Sequence, residues 1–95
     1  PNVPHVELTI KNFQHKSVEI EVGTVITWAN NDRTPHTITH YPGDSGIERQ
    51  FDSNRVEADT TFRYTFDKVG AFDYYCKLHP VNMRSVVTVV EASGS

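Results

Sequence analysis

Apolar residues in this chain come in short runs with a two-residue beat, and almost nowhere at helical spacing. Val6, Leu8 and Ile10 alternate with polar neighbours in VPHVELTI (3–10), and Val18, Ile20 and Val22 do so in SVEIEV (17–22). Phe62, Tyr64 and Phe66 repeat the pattern in TFRYTF (61–66), as do Phe72, Tyr74 and Cys76 in AFDYYC (71–76). Successive strand side chains point to opposite faces, so this alternation describes strands with one buried face. TVITWAN (24–30), with Val25 or Ile26 facing inward, HTITH (36–40) and SVVTVV (85–90) extend the series. Between them lie turn-forming stretches: Gly23, NNDRTP (30–35), YPGDSGIERQFDSN (41–54) and DKVG (67–70). Leu, a strong helix former, occurs only at Leu8 and Leu78. Val, Ile, Thr, Phe and Tyr carry the apolar content instead, and these residues favour strands. The expected fold class is all-β, with seven to eight short strands in an antiparallel sandwich or barrel. A small helical piece within 44–58 is the one exception the pattern allows.

At 95 residues the chain makes one domain, 1–95, with a modest core and with 91–95 as a flexible tail. Its first residue is Pro1 rather than Met, so the numbered chain starts after processing or was cut from something longer. Nine basic and twelve acidic residues give a net charge of −3. That balance argues against nucleic acid or an anionic membrane as the main partner. No apolar run approaches the roughly 20 residues of a membrane-spanning helix. The single cysteine excludes an internal disulfide.

Chemistry concentrates in YYCKLHPVNM (74–83), which holds the one Cys, a His three places later and the one Met four places after that. Cys76 has three readings. As a lone free cysteine it is a small core hydrophobe. As a nucleophile it has His79 as a base but no Gly-rich oxyanion site nearby. As a ligand it lies at a strand end, where one tight turn closed by Pro80 brings its sulfur and the His79 ring to one point, with Met83 returning on the far side of the loop. Thiolate, imidazole and a more distant thioether are the set that favours copper. A trigonal site needs a second imidazole, and His5, His15, His36 and His40 compete for it. His36 is the best placed, at the mouth of a strand directly after Pro35. His40, four residues on, stands roughly 13 Å away along a regular strand and cannot share the ion. His5 and His15 read as ordinary surface histidines.

VEIEVGTVITWANND (18–32), PHTIT (35–39), DKVGAFDYYCKLHP (67–80) and VTVVE (87–91) together resemble the cupredoxins, the type 1 blue-copper family that includes plastocyanin, pseudoazurin and amicyanin. The resemblance covers nearly the whole chain. It implies a Greek-key β-sandwich and one copper per chain, cycling between Cu(I) and Cu(II). It implies His36, Cys76 and His79 as the trigonal ligands, and one ring edge of His79 open to solvent. Thr37 follows His36 where many members have an Asn that ties the two ligand loops together, and its hydroxyl is the candidate replacement. Three residues separate His79 from Met83, against four in plastocyanin-like, two in amicyanin-like and three in azurin-like members. Met83 is accordingly the expected axial ligand, with Asn82, a water or an empty position as alternatives.

The function so implied is carriage of single electrons between redox partners, without turnover of a substrate. Leu78, Pro80, Val81 and Pro35 would frame His79 as the patch where those partners dock transiently, flanked by Lys77 and Arg84. Phe13, Phe72, Tyr74 and Val87 are the expected apolar shell of the copper. An open axial position would instead admit small molecules such as nitric oxide, making a redox enzyme. Copper delivery is a third reading, disfavoured by one Met and one Cys. Family membership also implies an extracytoplasmic location. The aromatic run Phe62, Tyr64, Phe66, Phe72 and Tyr74 reads as core packing rather than an electron relay. Tyr74, two residues before Cys76, resembles a tyrosine corner.

Overall fold

A computed structural model describes residues 4–43, 47–81 and 83–92. Among the described residues, seven strands form two sheets: β1 (His5–Ile10), β2 (Val18–Glu21), β3 (Val25–Asn30), β4 (Thr39–His40), β5 (Thr61–Thr65), β6 (Gly70–Tyr75) and β7 (Arg84–Val90). One sheet has the order β1-β3-β5 and the other β2-β7-β6-β4. No helix occurs among the described residues, and the described part of 44–58 is irregular, with isolated bridges at Asp52 and Val56 and Asn54 at a φ of 57°. The all-β Greek-key sandwich expected from the sequence is the fold observed.

Burial follows the two-residue beat. In β3 Ile26, Trp28 and Asn30 point inward while Val25, Thr27 and Ala29 are half-covered, which fixes Ile26 as the inward residue. Val87 and Val89 do the same in β7, and Phe72 and Tyr74 in β6. Trp28 sits at the centre of the core, with its ring against Phe51, Phe62, Phe66 and Tyr74. The aromatic run is therefore packing. The Tyr74 hydroxyl donates to the Lys16 carbonyl just before β2 and receives the Trp28 indole N–H at 3.4 Å. This corrects the tyrosine-corner expectation: the bond reaches 58 residues back along the chain rather than a few.

The purely antiparallel expectation also needs correction, because β1 pairs with β3 and β2 with β7 in parallel. Alternation specifies which face is buried and says nothing of direction. Here the chain changes sheets between β1, β2 and β3, so each return strand arrives parallel. Of the strands adjacent in a sheet, only β6 and β7 are consecutive in sequence. They form an antiparallel hairpin, and its loop is 76–83. HTITH shrinks to the two residues of β4, since His36 pairs with Val56 and Thr39 with Asp52 through isolated bridges instead of a continuous ladder.

Candidate metal centre

Two segments converge at one end of the sandwich. The β6–β7 hairpin loop is a tight hydrogen-bonded turn: His79 N–H donates to the Cys76 carbonyl at 3.1 Å, Met83 N–H to the His79 carbonyl at 3.1 Å, and Cys76 N–H to the Met83 carbonyl at 3.0 Å. These bonds set Cys76, His79 and Met83 around a common centre. The second segment leaves β3 at Asn30. That buried side chain donates to the Thr34 and Val56 carbonyls, each at 2.9 Å, and its carbonyl oxygen receives the Asp32 N–H at 2.9 Å. The last contact is an Asx turn, in which an Asn side chain replaces a backbone acceptor two residues before it would be met. The loop so folded delivers His36, fully buried, against the hairpin loop.

His36, Cys76 and His79 each bring a donor atom to within 4.8 Å of the others. Cys76 Sγ lies 3.8 Å from His36 Nδ1. Metal–nitrogen and metal–sulfur bonds of roughly 2.0 and 2.3 Å, opened to 120°, would set those two donors about 3.7 Å apart. His79 Nε2 is buried and has no hydrogen-bond partner among the described residues, and a buried, unpartnered ring nitrogen on a member of a thiol–imidazole cluster is what a bound ion relieves. The residues present therefore fit copper, a borderline-to-soft ion suited to sulfur and imidazole. Met83 is fully buried at the end of the loop. Asn82, the alternative axial residue, lies outside the described residues, as do residues 93–95 of the expected tail.

The outer partners are as specific as the cluster. Thr37 N–H donates to Cys76 Sγ at 3.3 Å. The Thr37 hydroxyl accepts the Lys77 N–H at 2.8 Å and shares a 2.9 Å hydrogen bond with the Thr39 hydroxyl, which lies 3.1 Å from Asp52 Oδ1. Asp52 is ionised and can only accept, so Thr39 gives it its one proton and Thr37 donates to Thr39. One directed chain thus runs from Lys77 N–H through two hydroxyls to a carboxylate, and it stitches the two ligand segments together. Thr37 does the tying that the sequence suggested for it. Burial works to raise the Asp52 carboxyl, but the Lys77 ammonium at 2.7 Å, the Asn54 N–H and Thr39 hold it below the usual carboxylate range.

Asp32 is held down in the same way. Burial opposes ionisation, and the N–H groups of Phe13, His36 and Asn12 outweigh it. Asn12 and Phe13 both have φ of 57°, in the left-handed region that a bulky residue enters only at a cost. The turn they make, closed by Gln14 N–H on the Lys11 carbonyl at 3.2 Å, sets the Phe13 ring edge-on to both His36 and His79, with centroids 5.2 and 4.9 Å away.

Three expectations change here. His15 is half-buried rather than on the surface, because its Nε2 donates to the Thr37 carbonyl at 2.9 Å and its ring packs on Tyr74. Burial lowers its pKa to about 4, so it stays neutral, with Nδ1 unpartnered among the described residues. His5 is exposed, as expected. His40 is buried between Phe51 and Phe72 and accepts the Gln50 N–H on Nδ1, away from the cluster. Phe72 packs on His40 and Phe66 in the body of the sandwich, leaving Phe13 as the ring laid on the imidazoles. Lys77 and Arg84 are committed within the molecule, Lys77 to Asp52 and Arg84 over the Tyr41 and Tyr75 rings. Nothing in the sequence marks Asn30, Asp32 or Asp52 as site residues, and His15 reads there as a surface histidine. The Asn-x-Asp spacing after a strand is the available signal, and composition alone reads it as loop.

A family model described as copper binding proteins of the plastocyanin/azurin family matches residues 5–90. The chain is 29% identical over 82 residues to amicyanin-alpha of Methylorubrum extorquens, covering 86% of this chain and 68% of that one. It is 33% identical over 72 residues to amicyanin of Paracoccus versutus, covering 76% of this chain but only 53% of the relative. A 29% identity over 83 residues links it to plastocyanin of Scenedesmus fuscus, with 81% of this chain and 85% of that one covered. Among solved structures, an amicyanin variant in its oxidised state superposes with a TM-score of 0.78 at 25% identity, over 90% of this chain and 81% of the other.

Proposed function

The chain belongs to the plastocyanin/azurin family of copper-binding proteins, and on that premise we propose that it carries single electrons between redox partners on one type 1 copper held by His36, Cys76 and His79, with Met83 as the axial ligand. The observation that carries the reading is the convergence of one buried sulfur and two imidazoles from separate segments, each held by the fold independently of a metal. Bound copper supplies a one-electron Cu(I)/Cu(II) couple.

The protein's part is to keep the donors where both oxidation states accept them. Cys76 is pinned by its own N–H bond to Met83, and its sulfur accepts the Thr37 N–H. His36 is fixed at both ring nitrogens, with Nε2 bonded to Asp32 and Nδ1 facing the sulfur. With the donors held this way, little of the protein around a bound copper would rearrange on a change of oxidation state. Phe13 packs edge-on against both imidazoles. Met83, with 0% exposure, supports a closed axial side and speaks against the small-molecule enzyme reading.

His79 is the one half-exposed member of the cluster and therefore the exit for the electron. Around it Val81 is 85% exposed, Leu78 44% and Phe13 43%. Exposed apolar side chains grouped beside a buried redox site suit brief docking with a partner protein, in an interface at the small end of the range. With Lys77 and Arg84 committed elsewhere, this docking rests on apolar contact rather than charge. The proposal takes the chain as one cupredoxin domain working outside the cytoplasm, which fractionation of the native host would check.

The test is reconstitution with Cu(II). One copper per chain, an intense absorption in the red with narrow hyperfine splitting, and a reversible one-electron wave are expected. Copper bound without a reversible wave, or spectra that shift on adding azide or nitric oxide, would overturn the carrier reading.

A further inference from the structure

We propose that Asp32 is the positioning residue of the copper centre, selecting the ring nitrogen that His36 offers the metal and clamping the turn that sets Phe13 edge-on against both imidazoles. This rests on the reading of His36 as a ligand. The Asp32 carboxylate takes three donors: Asn12 N–H on Oδ1 at 2.7 Å, and Phe13 N–H and His36 Nε2–H on Oδ2 at 2.9 and 2.8 Å. An ionised carboxylate accepts only. The His36 proton therefore stays on Nε2, and Nδ1 keeps its lone pair. Nδ1 is the nitrogen that stands 3.8 Å from Cys76 Sγ. Ligating histidines are commonly oriented by such an outer acceptor, and its loss weakens metal binding about 10–100-fold.

The same carboxylate holds a backbone that would otherwise relax. Two consecutive non-glycine residues at positive φ survive only where surrounding contacts over-determine them, and here both of their N–H groups end on Asp32. Asp32 is in turn seated by Asn30, which is anchored to the end of β3. Ligand orientation and ring cover are thus set together by one side chain. Its charge has a further consequence. A negative charge one imidazole away from the metal favours Cu(II) over Cu(I), so Asp32 lowers the reduction potential.

Asp32→Asn keeps the shape and an acceptor oxygen while removing the charge. The expected result is a shift of the Cu(I)/Cu(II) ratio toward Cu(I) of about tenfold at fixed ambient potential, equivalent to about 59 mV for one electron. Asp32→Ala, compared in the diamagnetic Cu(I) form by NMR, is expected to lose the slowly exchanging His36 Nε2–H signal and to shift the Phe13 ring resonances. If Asp32→Ala does not fold, the Asn variant still decides by its potential. A variant that binds one copper with the wild-type potential overturns the proposal while leaving the copper site standing. A wild-type protein that binds no copper, or a His36→Ala variant that keeps the type 1 spectrum, overturns the underlying ligand reading and the proposal with it.

Discussion

Thr37→Val replaces a hydroxyl by a methyl of nearly the same volume, at a residue only 2% exposed. It leaves no cavity, so its effect isolates the hydrogen-bond chain between the ligand segments. The hydroxyl accepts the Lys77 N–H at 2.8 Å and bonds the Thr39 hydroxyl at 2.9 Å. Thr39 keeps Asp52 as a partner, but the Lys77 N–H loses its acceptor. Two hydrogen bonds are lost, the buried one to Thr39 and the part-buried one from Lys77, at about 1 kcal/mol each, so the variant should be about 2 kcal/mol less stable. For a domain of this size that is roughly 8–16 °C in Tm. Thr37→Ser keeps the hydroxyl and loses one methyl, which costs about 0.8 kcal/mol. Urea unfolding of the copper-free proteins measures both without a metal-binding contribution. The visible spectrum of the copper forms then reports whether Cys76 and His36 have drifted apart in the Val variant. A Val variant as stable as wild type, or a Ser variant more damaged than the Val one, would refute the claim that this hydroxyl joins the loops.

Met83→Leu should cost less than about 1.5 kcal/mol, as a volume-conserving core exchange, yet shift the reduction potential and the visible spectrum of the copper form. Unchanged electrochemistry would remove Met83 from the ligand set. Stability should fall with acidification between about pH 6.5 and 4. In that window unfolded His15 takes a proton that the folded state, with its pKa lowered to about 4, refuses. The unfolded state then binds more protons, so acid favours unfolding, by up to about 3 kcal/mol once the folded pKa is reached. His40, lowered by burial, acts in the same direction. His15→Gln keeps a donor for the Thr37 carbonyl and should flatten the urea-midpoint profile over that window, and an unaltered slope would exclude His15 as its source.

Alternation of apolar side chains marks most of the strands and the buried faces of β1, β2, β5 and β6, because a strand's own geometry imposes that beat wherever one side meets a core; for β3 it leaves Val25 and Ile26 as alternatives, which only packing separates. Ligand chemistry was legible for a similar reason. Cys76, His79 and Met83 lie within one hairpin loop, so their convergence is local, and Pro35-His36 resembled a family pattern. Strand direction was not legible, since parallel and antiparallel partners share the same alternation and only the path between sheets separates them. The roles of Asn30, Asp32, His15 and Asp52 were hidden for the same cause. Each acts on residues from another segment, and a polar side chain's partner is fixed by where the folded backbone brings its donors. The sequence by itself determined an all-β domain with a copper-favouring thiol, imidazole and thioether in one loop. Only the tertiary structure decided which nitrogen of His36 faces the sulfur and what clamps it there, because those bonds span 20, 19 and 4 residues and meet at a single carboxylate.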